Sequence, residues 1–230
     1  MKLTISKSLQ EQLPEFSICA YTFTLIEKND KENCSSKLTE AFLEISKKYQ
    51  VLYQLADVVH ISKLKQTREG YKKLGKDPSH TRPACEALIR RIIKGDSLYR
   101  LGDVIDTGNL ISILTMKSVC VVDLDKIKGN IHIRIGTKDD VYEGIGRGII
   151  NVSNLPLYCD EISPFGNPTS DTMRTAITKD TENVLIMLIH FDNDFESDEF
   201  TMLDCLNTYL KIKNLNQVNV DNEEINEYDE

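Results

Sequence analysis

Helix patterns crowd between residues 36 and 115, strand patterns lie mainly before and after them, and one helix closes the chain. Together these predict an α+β fold in which helices cover one side of an antiparallel or mixed sheet. Regular alternation of strand and helix is missing, so a doubly wound nucleotide-binding fold is not expected.

The segments KLTIS and FSICAYTFTLIEK read as strands, and the turn-rich EKNDKENCSS closes the second. Leu38, Ala41, Phe42, Ile45 and Tyr49 recur at helical spacing and predict a helix from about Ser36 to Tyr49. A longer helical region is expected from Val51 through Gly70 to Leu74, where GKDPSH breaks it. Pro83 suits the first turn of the next helix and Glu86 its positive end, while Ala84, Leu88, Ile89, Ile92 and Ile93 form a buried face until Gly95. A short helix follows around Ile105 to Thr115.

Beyond it the pattern changes to period two with β-branched residues: SVCVVDL and IHIRIG read as a pair of strands separated by DKIKGN. Short segments at Val141–Glu143, Ile149–Val152 and Leu157–Cys159 continue the sheet, and SPFGNPTSD reads as a loop that interrupts it. NVLIMLIHF is apolar throughout, as in a strand covered on both faces. The closing helix is expected from Ser197, with Asp198 and Glu199 in its first turn and Phe200, Leu203, Leu206 and Leu210 facing inward.

At 230 residues the chain is long enough for one well-buried domain, expected over residues 1–213. Residues 214–230 carry six acids and no base, and this composition predicts a disordered acidic tail. Without it the formal charge moves from −8 to −2. No apolar run approaches the ~18 residues of a membrane span, so no membrane partner is expected. MKLTISKSLQ lacks the apolar core of a signal peptide and reads as a first strand, which makes the cytoplasm the expected compartment. The six cysteines have no repeated spacing and no C-x-x-C, which predicts reduced thiols rather than disulfides or a zinc site.

Charge is unevenly spread. From Lys63 to Arg100 eleven basic residues face four acids, a local balance of +7. Much of this is the expected solvated face of helices, but Arg90, Arg91 and Lys94 share the polar side of one helix, where their charges add. Lys72, Lys73, His80, Arg82, Arg90, Arg91 and Lys94 are therefore the candidate RNA-binding residues, and no DNA partner is expected. His80 stands in a polar loop just before a helix start, where an anion would meet both the imidazole and free N–H groups.

The glycines of YEGIGRGII have the spacing G-x-G-x-G and are followed by strand-like residues, so they do not predict a phosphate loop. The usual NTPase, zinc-protease and serine-hydrolase motifs are absent, and neither a cofactor nor a metal is expected. His132 and His190 read as ordinary strand residues. Asp160, Glu161, Ser163, Asn167, Thr169, Ser170, Asp171 and Arg174 form the densest polar cluster after residue 150. Individually they read as turn residues; as a group they suit the wall of a polar pocket.

The ordered series YKKLGKDPSHTRPACEALIRRIIKG, DVIDTGNLISI, DLDKIKG, IHIRIG and the loop from Asp160 to Asp171 resembles the B3/B4 domain of the phenylalanyl-tRNA synthetase β subunit, and free-standing proteins built from that domain, over about residues 65–190. The resemblance implies a β-sandwich with attached helices and a pocket between the DTGNL–DLDKI region and the NPTSD loop. In the synthetase the domain is associated with tRNA binding and hydrolyses mischarged tyrosine from phenylalanine tRNA.

Asp106 and Asn109 match the family's D-x-x-N, and Asp123 and Asp125 its F-D-L-D. On this footing Asn109, Asp123 and Glu161 are the candidate catalytic residues, and Asp106, Cys120, Asp160, Thr169, Ser170 and Asp171 the candidate substrate-binding residues. Cys120 stands where the synthetases carry a histidine. A thiol is a weak hydrogen-bonding substitute for imidazole, so tyrosine editing does not simply transfer. With no base placed beside it in sequence, Cys120 is expected to be a buried strand thiol.

Two functions follow. One is a free-standing tRNA-binding protein that hydrolyses mischarged aminoacyl-tRNA. The other is a non-catalytic module for a small amino-acid-like ligand, its ammonium held by Asp and Glu and its carboxylate by Arg174 or His80. Aminoacylation itself is excluded, because no ATP-binding signature is present.

Overall fold

The computed structural model describes residues 1–27 and 35–223. Two sheets stack face to face, and helices cover the outer face of one of them, an α+β sandwich in three layers. The first sheet has the order β12-β1-β4-β7-β8-β9. Its strands are β1 (Leu3–Ile5), β4 (Ile131–Ile135), β7 (Pro156–Cys159), β8 (Pro164–Asn167), β9 (Ser170–Asp171) and β12 (Val220–Asn222). β1 runs parallel to β4 and β12, and the remaining pairs are antiparallel. The second sheet, β11-β2-β10-β3, is antiparallel throughout: β2 (Ser17–Leu25), β3 (Ser118–Asp123), β10 (Asn183–His190) and β11 (Ile212–Val218).

β10 is central in that sheet and buried on both faces, as its unbroken apolar run predicts. Val184, Ile186 and Leu188 face the helical layer, and Leu185, Met187 and Ile189 face the inter-sheet core. The same alternation sends Val121 of β3 to the helices and Cys120 and Val122 into the sandwich. The helical layer comprises α2 (Ser36–Leu52), α4 (Ala84–Ile93), α5 (Asp103–Thr115) and α6 (Phe195–Tyr209). Leu38, Phe42, Ile45 and Tyr49 of α2 are buried at the expected spacing. α3 (Ser62–Lys73) spans the two cores, with Leu64 in the helical one and Tyr71 in the inter-sheet one. No described helix is long and apolar enough to cross a membrane.

Several expectations are corrected. The acidic segment is not wholly disordered: residues 212–222 supply β11 and β12, and a boundary at 213 would cut β11. Backbone pairing to β2 and β1 orders these Asn-rich residues, support that composition does not register. Residues 224–230 lie outside the described residues, as does Cys34; the other five cysteines are free thiols. The helical region expected from Val51 to Leu74 is α3 preceded by a short 3-10 turn, Asp57–His60. SVCVVDL and IHIRIG fall in different sheets. The expected loop SPFGNPTSD forms the β8–β9 hairpin, closed by an Asx turn in which Asn167 Oδ1 accepts from the N–H of Thr169 (2.9 Å) and Ser170 (3.2 Å). α6 begins earlier than expected and its inward face is shifted: Leu206 is buried as expected, but Phe200 is 74% exposed and Met202 and Cys205 are buried in its place. A short helix, α1 (Lys7–Gln12), had no periodic signal and is capped by the Ser6 hydroxyl, which accepts from Leu9 N–H.

Candidate functional site

α4 turns its apolar side to the core and its basic side to a cleft of 480 Å³, lined by Arg82, Arg90, Arg91 and Lys94 with Asn109 of α5 and Arg147 opposite. Five cations thus meet one acid, Asp96, along the cleft. Beneath them Glu86 is fully buried and binds three guanidinium groups: Arg90 at 2.7 Å, Arg68 at 2.9 Å and Arg82 at 3.5 Å. One carboxylate cannot balance three cations, so the shared anchor fixes the arginines and leaves the surface positive. Arg91 donates to Ser97 O (2.6 Å) and lies over the Tyr99 ring. The side chains of Lys94, Arg147 and Asn109 have no hydrogen bond or ion pair among the described residues.

The β8–β9 turn abuts the N-terminal end of α4. Pro168 O accepts from Ala84 N–H (2.9 Å) and from the Ser118 hydroxyl (2.8 Å), while the hydroxyls of Thr169 and Tyr71 are hydrogen-bonded at 3.0 Å. Behind this turn, inside the sandwich, Cys120, Tyr158 and Asp171 converge on Gly166 as a buried polar cluster, with Asn167 and Thr172 next to it in the chain. Gly166 is required there: a Cβ at that position would lie 2.7 Å from the Tyr158 ring, 2.8 Å from Asp171 Oδ1 and 3.4 Å from Cys120 Sγ. The Tyr158 hydroxyl, Asn167 Nδ2 and Thr172 Oγ1 are buried without a partner among the described residues. Most buried polar atoms are satisfied, so three orphans on residues around this hairpin are unusual for a packed core.

The cluster's titration is set by burial. Burial pushes Asp171 up to about 7, against a hydrogen bond from the Cys120 thiol. Burial and the neighbouring Asp171 hold Cys120 well above the ordinary thiol range. Cys120 is therefore a neutral thiol at physiological pH, without the activation a nucleophile needs. Burial likewise raises Tyr158, Tyr142 and Tyr71, which remain neutral donors.

The B3/4 domain family model matches residues 66–199, more than half of the chain. The chain belongs to the B3/4 domain family. No curated protein matches. Among solved structures, an N-terminal fragment of the phenylalanyl-tRNA synthetase β-subunit from Pyrococcus horikoshii is similar at 13% identity with a TM-score of 0.49. The match covers 97% of this chain and 52% of that fragment, so the chain spans about half its length.

In this B3/4 domain the sequence-derived catalytic candidates are not gathered. Asn109 lines the basic cleft. Asp123 caps the turn after β3, accepting from Asp125 N–H (3.1 Å), from the Thr181 hydroxyl (2.7 Å) and from Lys126 (3.3 Å). Glu161 is exposed and lies against Gly129. Carboxylates held as caps or left in solvent make poor general bases at neutral pH.

The substrate-binding candidates also divide. Cys120 and Asp171 belong to the buried cluster around Gly166, while Thr169 and Ser170 form the turn that covers it. Asp106 is fully buried and accepts from Arg100 Nε (2.7 Å) and Leu101 N–H (3.0 Å), which ties down the start of α5. Asp160 receives both Arg174 nitrogens at 2.9 and 3.0 Å and the N–H groups of Lys128, Ile162 and Ser163. That network holds it below the usual carboxylate range despite opposing desolvation. Arg174 is thereby committed and is not free to hold a ligand carboxylate.

Among the basic candidates, Arg82, Arg90, Arg91 and Lys94 share the cleft. Lys72 and Lys73 lie outside it, exposed at the end of α3, and Lys73 borders a separate pocket with Phe16 and Glu69. His80 is 86% exposed and faces Asp77 at 3.6 Å rather than the helix start, where Pro168 takes the Ala84 N–H. Sequence reasoning missed Arg147, Tyr158 and Thr172. Arg147 sits in the glycine-rich YEGIGRGII segment, whose spacing fits no phosphate loop, and the other two carry no motif.

Proposed function

We propose that this protein binds the aminoacylated 3′ end of a tRNA and hydrolyses the ester that joins the amino acid to it, a reaction of the cytoplasm. The observation that carries this reading is the adjacency of two features: the five-cation cleft along α4 adjoins, through the Asn167–Ser170 turn, a buried polar cluster whose residues carry three unpartnered polar atoms. A strand of RNA in the cleft places its phosphates against Arg91, Lys94 and Arg147, with release of counterions. Its terminal acyl group reaches this cluster, where a polar ligand offsets desolvation of about 1–3 kcal/mol for each orphaned group.

The ester is already activated, so no protein nucleophile is needed. Asp171, with its pKa near 7, is about half ionised at neutral pH and matches a general base that takes a proton from water. The hydroxyl of Tyr158 and Nδ2 of Asn167 are the donors available to the oxyanion that forms when water adds. Cys120 donates to Asp171 and orients it.

The test is release of amino acid from a panel of correctly and wrongly charged tRNAs by the wild-type protein, by Asp171→Asn, and by Arg90→Glu with Arg91→Glu. Release confined to particular pairs is expected, lost at least a hundredfold in Asp171→Asn (on the order of a general-base contribution) with affinity kept. The double charge reversal is expected to weaken binding and flatten its salt dependence. Absence of release above the spontaneous rate refutes the catalytic part, and unchanged affinity in the double variant refutes the surface. The alternative of a free amino-acid-like ligand lacks its carboxylate holders, since Arg174 is bound by Asp160 and His80 is turned to solvent.

A further inference from the structure

The glycine-rich segment that fits no phosphate-loop pattern is a two-stranded arm, β5 (Glu143–Gly144) paired with β6 (Gly148–Ile149), and the functional reading above leaves it without a role. Its turn is closed by Arg147 N–H donating to Gly144 O at 3.0 Å, and Gly146 and Gly148 both adopt φ +67, with open space for 4 Å around the point where a Cβ would stand. Ile145 and Ile149 are exposed, at 42% and 82%. Only four residues form its ladder and its two turn glycines stand in open space, the marks of a locally weak unit. Its base is tied down: Lys76 Nζ donates to Asn151 O at 2.7 Å and Ser153 O at 3.0 Å.

Two features give this arm a direction. Arg147 at its tip reaches the wall of the basic cleft opposite α4, and its guanidinium forms no hydrogen bond or ion pair among the described residues. The arm's other contacts run to the strand that carries Asp171: Ile145 N–H donates to Asp171 O (2.9 Å), Gly144 bridges Thr172, and the Tyr142 hydroxyl donates to Ser170 O (2.5 Å).

We infer that β5–β6 is an anion-sensing clamp: a phosphate in the cleft is gripped between Arg147 and the α4 cations Arg91 and Lys94, and the grip steadies β9 and with it Asp171. In the empty cleft these like charges repel, which holds the arm off; one phosphate bridging both walls turns repulsion into attraction. The clamp makes Arg147 a positioning residue for the hydrolysis proposed above, and in that respect it rests on that reading. The grip on phosphate does not.

The test separates the two. One probe is a short fluorescein-labelled single-stranded RNA ending in CCA; the other is inorganic pyrophosphate. For RNA, the slope of log affinity against log salt is expected to fall by about 0.7 in Arg147→Ala and to return in Arg147→Lys, as for loss of one single-strand phosphate contact. For pyrophosphate, hydrogen exchange of the Ile145 amide, which is bonded to Asp171, is expected to slow about tenfold in the wild type, in keeping with tightening of a weak local unit, and not in Arg147→Ala. Arg147 is exposed, so unchanged thermal unfolding of the variant sets aside a merely structural role. An unaltered salt slope in Arg147→Ala overturns the clamp and leaves RNA binding standing. Failure of RNA to bind, with Ile145 protected by pyrophosphate through Arg147, removes the tRNA reading and keeps the clamp. Failure of pyrophosphate to protect Ile145 in the wild type overturns it.

Discussion

Asp171→Asn is expected to stabilise the protein while abolishing its proposed chemistry, and the gain depends on pH in a defined way. Burial raises the folded-state pKa from 3.8 to about 7. An acid whose pKa rises on folding binds more protons folded than unfolded between those values, so its ionisation destabilises the native state as pH climbs. The difference of roughly three units corresponds to about 4 kcal/mol at 1.36 kcal/mol per unit. Asp171 keeps partial solvent contact, which screens some of this and leaves about 2–4 kcal/mol.

The amide has nearly the same shape and does not titrate. The variant should therefore match the wild type near pH 4, gain stability between pH 4 and 7, and hold a constant advantage above about pH 7. Urea unfolding of both proteins from pH 4 to 8 reads this directly. An advantage independent of pH, or a variant less stable than wild type at pH 8, refutes the assignment of Asp171 as a strained carboxyl. Such a trade of stability for a poised acid is expected of a catalytic pocket and not of a structural one.

Two further substitutions probe the frame around the site. Glu86→Gln removes the buried anion that anchors Arg68, Arg82 and Arg90, and should lower stability by about 3–5 kcal/mol in denaturant titration; a loss under 1 kcal/mol would mean the three arginines are held by solvent rather than by Glu86. Lys117 is fully buried, paired with Asp192 beside His190, and Lys117→Met strands that carboxylate at a similar cost. Because Lys117 and the neighbouring His190 imidazole, 3.8 Å away, hold Asp192 far below the usual carboxylate range against desolvation, the pair's contribution is present above the unfolded carboxylate pKa and fades only in strong acid. Acid unfolding curves of wild type and Lys117→Met should converge there.

Much of the fold is legible in the sequence because it rests on local periodicity. The stripe of α2, the two-faced run of β10 and the alternation in β3 each state which side must be buried, whatever the partner. Sheet assignment was not legible. SVCVVDL and IHIRIG look like neighbours, yet one pairs with β10 and the other with β1 and β7, choices made by strands that local pattern does not connect to them, β1 lying at the far end of the chain. The Asn-rich stretch after residue 211 becomes strand because β2 and β1 offer open edges, and nothing in its own composition announces that.

The candidate site divides along the same line. Charge on one helix face adds over short distances, so Arg90, Arg91 and Lys94 were recognisable from spacing alone. Carboxylates are another matter, since their role depends on what meets them. Asp106, Asp123 and Asp160 are consumed by caps and guanidinium partners, whereas Asp171 is left buried beside a thiol and titrates near neutrality. The sequence by itself determined the α+β class, the basic helix and the order of motifs that marks the family, because these follow from neighbours along the chain. Only the tertiary structure decided which polar groups lack partners and which cations face one another, because burial and pairing are properties of distant segments brought together.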